Sequence, residues 1–214
     1  MNTRLVLIRH GITAWNKEKR YCGRIDVGLS REGKRQAKKL ASALKGIGFD
    51  KIYSSDKKRA LETCRIVFGK SKFTKVKGLR EINFGVLEGL RHKAILKKYG
   101  ALYENWVKDP HRHHIPKAEK LRDFKERICG QINQICRANP DKTVAVVCHG
   151  GVIGIFVSSL LKSRKFWQHI PKPASVTVVE YKRDGSQLKA KLSPKKGHFK
   201  IGLRTVPTKK KWEK

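Results

Sequence analysis

The chain has 214 residues, enough for one sizeable core or one core with a small appendage, which argues against two full-sized domains. Its 51 Lys and Arg against 17 Asp and Glu give a formal charge of +34, yet 39% of residues are hydrophobic and 8% aromatic, so disorder along the whole length is excluded. The excess charge points to anionic partners, whether phosphorylated metabolites, nucleic acid or an anionic surface, because the summed field concentrates whatever is negative.

Leu5-Val6-Leu7-Ile8 is a short continuous apolar run, expected of a strand buried on both faces of a parallel sheet. Arg9 and His10 interrupt it long before a signal sequence would be complete, and no other stretch approaches the roughly 20 apolar residues of a membrane span. Ala37, Leu40, Ala41 and Leu44 have helical period. Lys51-Ile52-Tyr53 predicts a weaker strand, with Ser54 and Ser55 expected to cap a helix from Lys57 to Phe68. Leu121, Phe124, Ile128, Ile132 and Ile135 mark a later helix that carries Cys129 and Cys136 as packing residues. With Cys22, Cys64 and Cys148 these make an odd number of cysteines without a CxxC pair, so reduced thiols in a cytoplasmic protein are expected.

Val144 to Cys148 reads as a second buried strand, followed by a helix over Val152 to Leu161. Ser175 to Tyr181 has strand composition, and Asp184-Gly185 before Gln187-Leu188 predicts an edge hairpin. Strands alternating with helices imply an α/β, three-layer sandwich with a mostly parallel central sheet flanked by helices. Residues 1–192 are expected to form the domain, with a short cap insertion at about 91–120. Residues 193–214, with Pro194, Pro207 and the terminal Lys209 to Lys214 stretch, read as a basic, partly mobile tail.

The chemistry starts at Arg9-His10-Gly11, directly after the first buried strand. In an α/β sheet the carboxyl ends of the strands face the crevice where ligands bind. His149-Gly150-Gly151 repeats the arrangement after the second strand, which places two imidazoles at one sheet edge beside a helix N-terminus suited to an anion.

The segment from Leu7 through Arg9-His10-Gly11 to Trp15-Asn16 resembles the signature of the histidine phosphatase (phosphoglycerate mutase-like) superfamily. The resemblance runs on in order through Arg20 to Gly23 with Asp26, Leu29 to Gly33, Ile52 to Asp56 with Arg59 and Thr63, Leu79 to Gly85 with Glu88-Gly89, and Val146 to Gly151. It implies that His10 is a nucleophile that becomes phosphohistidine. Arg9, Arg59 and His149 would hold the phosphoryl group and Glu81 would be the general acid. Gly11, Thr13, Asn16, Cys22, Gly23 and the Gly150 amide would be further phosphate or substrate contacts. Neither metal nor cofactor is required for that mechanism, and the expected partner is a small phosphorylated substrate.

Phosphoryl transfer needs an in-line nucleophile and cations around the equatorial oxygens, which two arginines and two imidazoles provide. The nucleophilic imidazole must be neutral, whereas His149 is expected to act protonated, and a poor alkoxide leaving group needs a protonated carboxyl. Glu88-Gly89 after Phe84-Gly85 is similar to the phosphatase branch, including α-ribazole phosphatase, and the short cap favours attack by water, so a phosphomonoester hydrolase is the first reading. A cofactor-dependent phosphoglycerate mutase is the alternative. From another class, a catalytically lost nucleic-acid or polyanion binder remains open, with Trp212 among lysines able to stack on a base.

Several positions depart from the phosphatase pattern: Ala118-Glu119-Lys120, Gly154, Ala174 and Cys22. They imply an intact centre with an altered specificity pocket. His111, His113 and His114 form a further cluster with Arg112, read as an exposed loop, with contact to the substrate or to adventitious metal as the other readings.

Overall fold

A computed structural model describes residues 2–184 and 187–192. In chain order these form β1 (Asn2–Arg9), α1 (Ala14–Lys17), α2 (Arg31–Ala43), β2 (Lys51–Ser55), α3 (Lys58–Phe68), β3 (Thr74–Val76), α4 (His92–Lys108), α5 (Leu121–Arg137), β4 (Thr143–Cys148), α6 (Gly150–Leu160), β5 (Val176–Asp184) and β6 (Gln187–Leu192). The sheet order is β3-β2-β4-β1-β5-β6. The first four of these strands pair in parallel, and β5 and β6 close one edge as an antiparallel hairpin. The expected three-layer α/β architecture is therefore present, with a mixed, mostly parallel sheet. Gly185 of the expected turn and the tail 193–214 lie outside the described residues.

The apolar runs become the central pair. Leu5 stands opposite Val144 and Arg9 opposite Cys148. Because side chains alternate along a strand, Leu5, Leu7, Val144 and Val146 pack with α5 and α6, while Val6, Ile8, Ala145 and Val147 pack against the α2 and α3 layer. Phe124, Ile128 and Ile132 of α5 are fully buried on the first face. Each such side chain contributes about 1.5–3 kcal/mol by leaving water. Ser30 caps α2, its hydroxyl accepting from the Gly33 amide at 3.1 Å.

Ser54 and Ser55 do not cap α3. They belong to β2, where pairing of Ser54 with Val147 claims the backbone for the sheet, and both are fully buried. Lys57 occupies the N-cap without a side-chain hydrogen bond.

Residues between β3 and α5 build a small core of their own from Leu87, Ile95, Tyr103, Trp106 and Ile115. Its main element, α4, was not expected; it kinks at Tyr99 (φ −136°, ψ 22°), next to Gly100.

All five cysteines are free. Among the described residues no helix is long and apolar enough to cross a membrane.

Ala174, one of the substituted positions, has φ 52° and donates its amide to the His10 carbonyl at 3.1 Å. A left-handed conformation costs an alanine about 1–2 kcal/mol, which asparagine partly escapes. Ala174→Asn is therefore expected to raise stability by about 1 kcal/mol, read as an upward shift of the denaturant midpoint at unchanged slope.

Candidate active site

The in-register ends of β1 and β4 deliver the two histidines to each other. The His10 amide donates to the Cys148 carbonyl at 3.0 Å, and the imidazoles of His10 and His149 meet edge to face with centroids 5.2 Å apart.

Their hydrogen-bond partners assign opposite tautomers. His10 Nδ1 lies 2.7 Å from the Gly11 carbonyl, which only accepts, so Nδ1 carries the proton and Nε2 keeps its lone pair. For His149, Arg59 Nε donates to Nδ1 at 3.2 Å, so the proton sits on Nε2 and is given to Ser55 Oγ at 2.8 Å. Burial, followed by the guanidinium groups of Arg59 and Arg9, holds the His10 imidazole well below its ordinary pKa. His149 is depressed in the same direction by burial first, then by Arg59 and His10. The expectation of a protonated His149 is corrected accordingly: the ring is fully buried and its second nitrogen already accepts from a cation.

Arg59 is 1% exposed, and α3 aims it across the sheet edge. Its Nη1 donates to the Ile25 carbonyl at 3.0 Å, and Nη2 to the carbonyls of Gly23 at 2.7 Å and Cys22 at 3.4 Å. Arg9 Nη1 donates to the Pro171 carbonyl, and Arg9 Nε is buried without a partner. Neither arginine forms an ion pair among the described residues.

Glu81 is the carboxyl of the centre. Its Oε2 accepts from the Gly151 amide at 2.9 Å and its Oε1 from the Ile82 amide at 3.0 Å. Burial raises its pKa; those two amides, then Arg59 and Arg9, oppose the rise without cancelling it. The buried Arg59 and half-buried Arg9 guanidinium groups thus face a carboxyl whose pKa burial raises. Gly150 and Gly151 make this approach possible. A Cβ at Gly151 would stand 2.3 Å from Glu81 Oε1, and one at Gly150 would stand 2.8 Å from Arg9 Cζ.

A cleft of about 220 Å³ opens over the centre, with Arg9, Glu81 and Gly150 on its wall. Asn16 and Cys22 also line it, as do Lys19 and Arg20 and the rings of Tyr21, Phe84 and Trp167. His10, Arg59, His149 and Gly23 lie outside that lining, with His10 at 4% exposure. Thr13 and Gly11 are turned to other tasks. Thr13 is fully buried as the N-cap of α1, and the Gly11 amide donates to Thr63 Oγ1 at 3.1 Å. His111 and Arg112 line a separate basic cleft of about 570 Å³ with Lys108, Arg164 and Lys165, while His113 and His114 are exposed. Among the described residues no group of three or more His, Cys, Asp or Glu is placed to hold a metal ion.

Two further residues support the centre without having been expected at it. Ser55 ends the third parallel strand, so the rule that drew attention to His10 and His149 would have found it too. Glu88 accepts from the amides of Arg24 at 2.6 Å, Ile25 at 2.9 Å and Phe84 at 3.2 Å. Its carboxylate therefore grips from one side the loop whose carbonyls hold Arg59 from the other. Glu88→Ala orphans three amides, with an expected loss on the order of 3 kcal/mol in chemical denaturation. Glu88→Gln keeps one acceptor oxygen and is expected to lose less.

The model of the histidine phosphatase superfamily (branch 1) matches residues 5–192. Phosphoserine phosphatase 1 of Hydrogenobacter thermophilus is 32% identical over 180 residues, covering 82% of this chain and 85% of the relative. The probable phosphoglycerate mutase GpmB of Cronobacter sakazakii is 30% identical over 202 residues, covering 86% and 94%. Among solved structures, Bacillus stearothermophilus YhfR superposes with a TM-score of 0.79 at 29% identity, covering 89% of this chain and 96% of that one.

Proposed function

Since the chain belongs to the histidine phosphatase superfamily, we propose that it hydrolyses a small phosphomonoester through a phosphohistidine on His10. The observation that carries this reading is the unprotonated Nε2 of His10, its proton being held on Nδ1, beside the buried Arg59 and half-buried Arg9 guanidinium groups, neither of which forms an ion pair among the described residues. A bound phosphate supplies the missing charge and gives Arg9 Nε an acceptor.

His10 Nε2 attacks phosphorus as the ester P–O bond breaks, and the departing oxygen takes the proton of Glu81. Arg9 and Arg59 balance charge on the equatorial oxygens, and the Nε2–H of His149, turned from Ser55, is a further donor. Water then attacks the phosphohistidine, Glu81 takes its proton, and inorganic phosphate leaves with His10 restored. Both histidines therefore work neutral, one as electron-pair donor and one as hydrogen-bond donor. Asn16, Cys22 and the Gly150 amide contact the substrate from the cleft wall, and Gly23 serves through its carbonyl on Arg59. The segment 91–120 acts as the cap, and the protein's positive field draws anionic substrate towards it.

Hydrolysis and mutase chemistry share the phosphoenzyme and differ in what receives the phosphoryl group. Incubation with 3-phosphoglycerate is expected to release inorganic phosphate faster than 2-phosphoglycerate forms. The reverse order would assign the protein to mutase chemistry.

A further inference from the structure

The basic cleft of about 570 Å³ between the end of α4 and the segment after α6 takes no part in the chemistry above. Lys108 and Arg112 reach it from the cap, and Arg164 and Lys165 from the lead into a 3-10 turn over Phe166–His169. Asp109 is the one carboxylate in its lining. It stands between the two arms, with Oδ1 accepting from the His111 amide at 3.1 Å and Oδ2 lying 3.7 Å from Arg112 Nε and 3.8 Å from Arg164 Nη2. Both guanidinium distances exceed a hydrogen bond, so the carboxylate draws the arginines to one place while their N–H donors stay uncommitted. The ammonium groups of Lys108 and Lys165 form no ion pair among the described residues.

Four cations against one carboxylate leave three positive charges uncompensated. A single phosphate group, with about two negative charges near neutral pH, does not balance them, whereas a short chain of phosphates does, and its oxygens match two guanidinium forks at once. The volume also lies in the range of about 300–1,000 Å³ typical of pockets that enclose a whole small molecule. Trp167 forms a common wall with the catalytic cleft, and it is tied to the cap by its Nε1 bond to the Val107 carbonyl at 3.1 Å and an edge-to-face contact with Trp106 at 4.9 Å.

We propose that this cleft is a second anion site, separate from the reacting centre, that takes an oligophosphate, and that the bound chain fastens the end of the cap to the turn behind it. The site stands on the cleft alone and not on the phosphatase reading.

The test is calorimetric titration of the full chain with inorganic tripolyphosphate at physiological salt, in the presence of excess orthovanadate, which occupies a phosphoryl-transfer centre and prevents turnover. One tripolyphosphate is expected to bind per chain, at least about tenfold tighter than orthophosphate. Arg112→Ala and Arg164→Ala, one from each arm and both at largely exposed side chains, are each expected to weaken it at least about fivefold, while hydrolysis of p-nitrophenyl phosphate stays at the native rate. Lys34→Ala, at an exposed cation of α2 in the other helical layer, should leave the affinity unchanged. If Lys34→Ala weakens binding as much as the cleft variants do, the affinity belongs to the protein's overall charge and the proposal falls. Equal affinity for orthophosphate, or a loss in the variant of one arm alone, also overturns it. A native protein that leaves p-nitrophenyl phosphate intact but binds tripolyphosphate with this pattern keeps the site and sinks only the phosphatase reading.

Discussion

Replacing His10 by alanine is expected to lower phosphomonoester hydrolysis by about 10⁴-fold or more, the scale seen when a covalent nucleophile is deleted from an organised site. No neighbour can substitute. The other imidazole, His149, is committed at both nitrogens, accepting from Arg59 and donating to Ser55. The same variant should fail to form a phosphoenzyme, which in the native protein is expected to be acid-labile and base-stable after a rapid quench. Retention of native rates, or an acid-stable phosphoprotein, would remove His10 from the role. A thermal melt of the variant separates chemistry from folding, because His10 is 4% exposed and its truncation leaves a buried void.

The second large effect belongs to Glu81. Glu81→Gln keeps acceptor capacity for one amide but has no proton to give, so hydrolysis of an alkyl phosphate is expected to fall about 10²- to 10⁴-fold. The loss should be much smaller for p-nitrophenyl phosphate, whose phenolate departs without protonation. Equal losses on both substrates would make Glu81 a structural residue. The pH profile follows from the same two groups. On the proposed mechanism His10 acts deprotonated, and its pKa is lowered, so the acid limb is expected below the ordinary imidazole range. On the same mechanism Glu81 acts protonated, and its pKa is raised, so the alkaline limb is expected above the ordinary carboxyl range. The kcat/KM of the native protein is expected to be bell-shaped, and Glu81→Gln should flatten the alkaline limb alone.

What could be read from the chain and what could not divide along physical lines. β1 and β4 were legible because a strand buried on both faces has no polar alternation to disguise it. The meeting of His10 and His149 at one sheet edge was legible because they follow those strands directly. α4 was not, since it turns only Ile95, Tyr103 and Trp106 fully inward, carries Lys97, Lys98 and Gly100 in its middle, and bends at Tyr99. β3 is three residues long with two of them exposed, too short for a pattern. Ser54 and Ser55 were assigned a capping role by local preference, which pairing with β4 overrides. The charge state of His149 was beyond reach of the sequence, because it depends on which nitrogen Arg59 meets. Glu88 could be noticed as a motif residue, but its grip on three amides is a property of the folded loop.

The sheet order has a consequence for synthesis. β4 lies between β2 and β1, although it is the last of the four parallel strands to be made. A growing chain that has produced β1, β2 and β3 holds His10 and Arg59 with no strand to bring them together, and His149 has yet to emerge. The cations that would seize a phosphate gather only when the late strand inserts into the middle of the sheet, a long-range closure that is slow to make. Nascent chains that lack β4 are therefore expected to be inert towards phosphoesters, with activity arriving as the fold is completed.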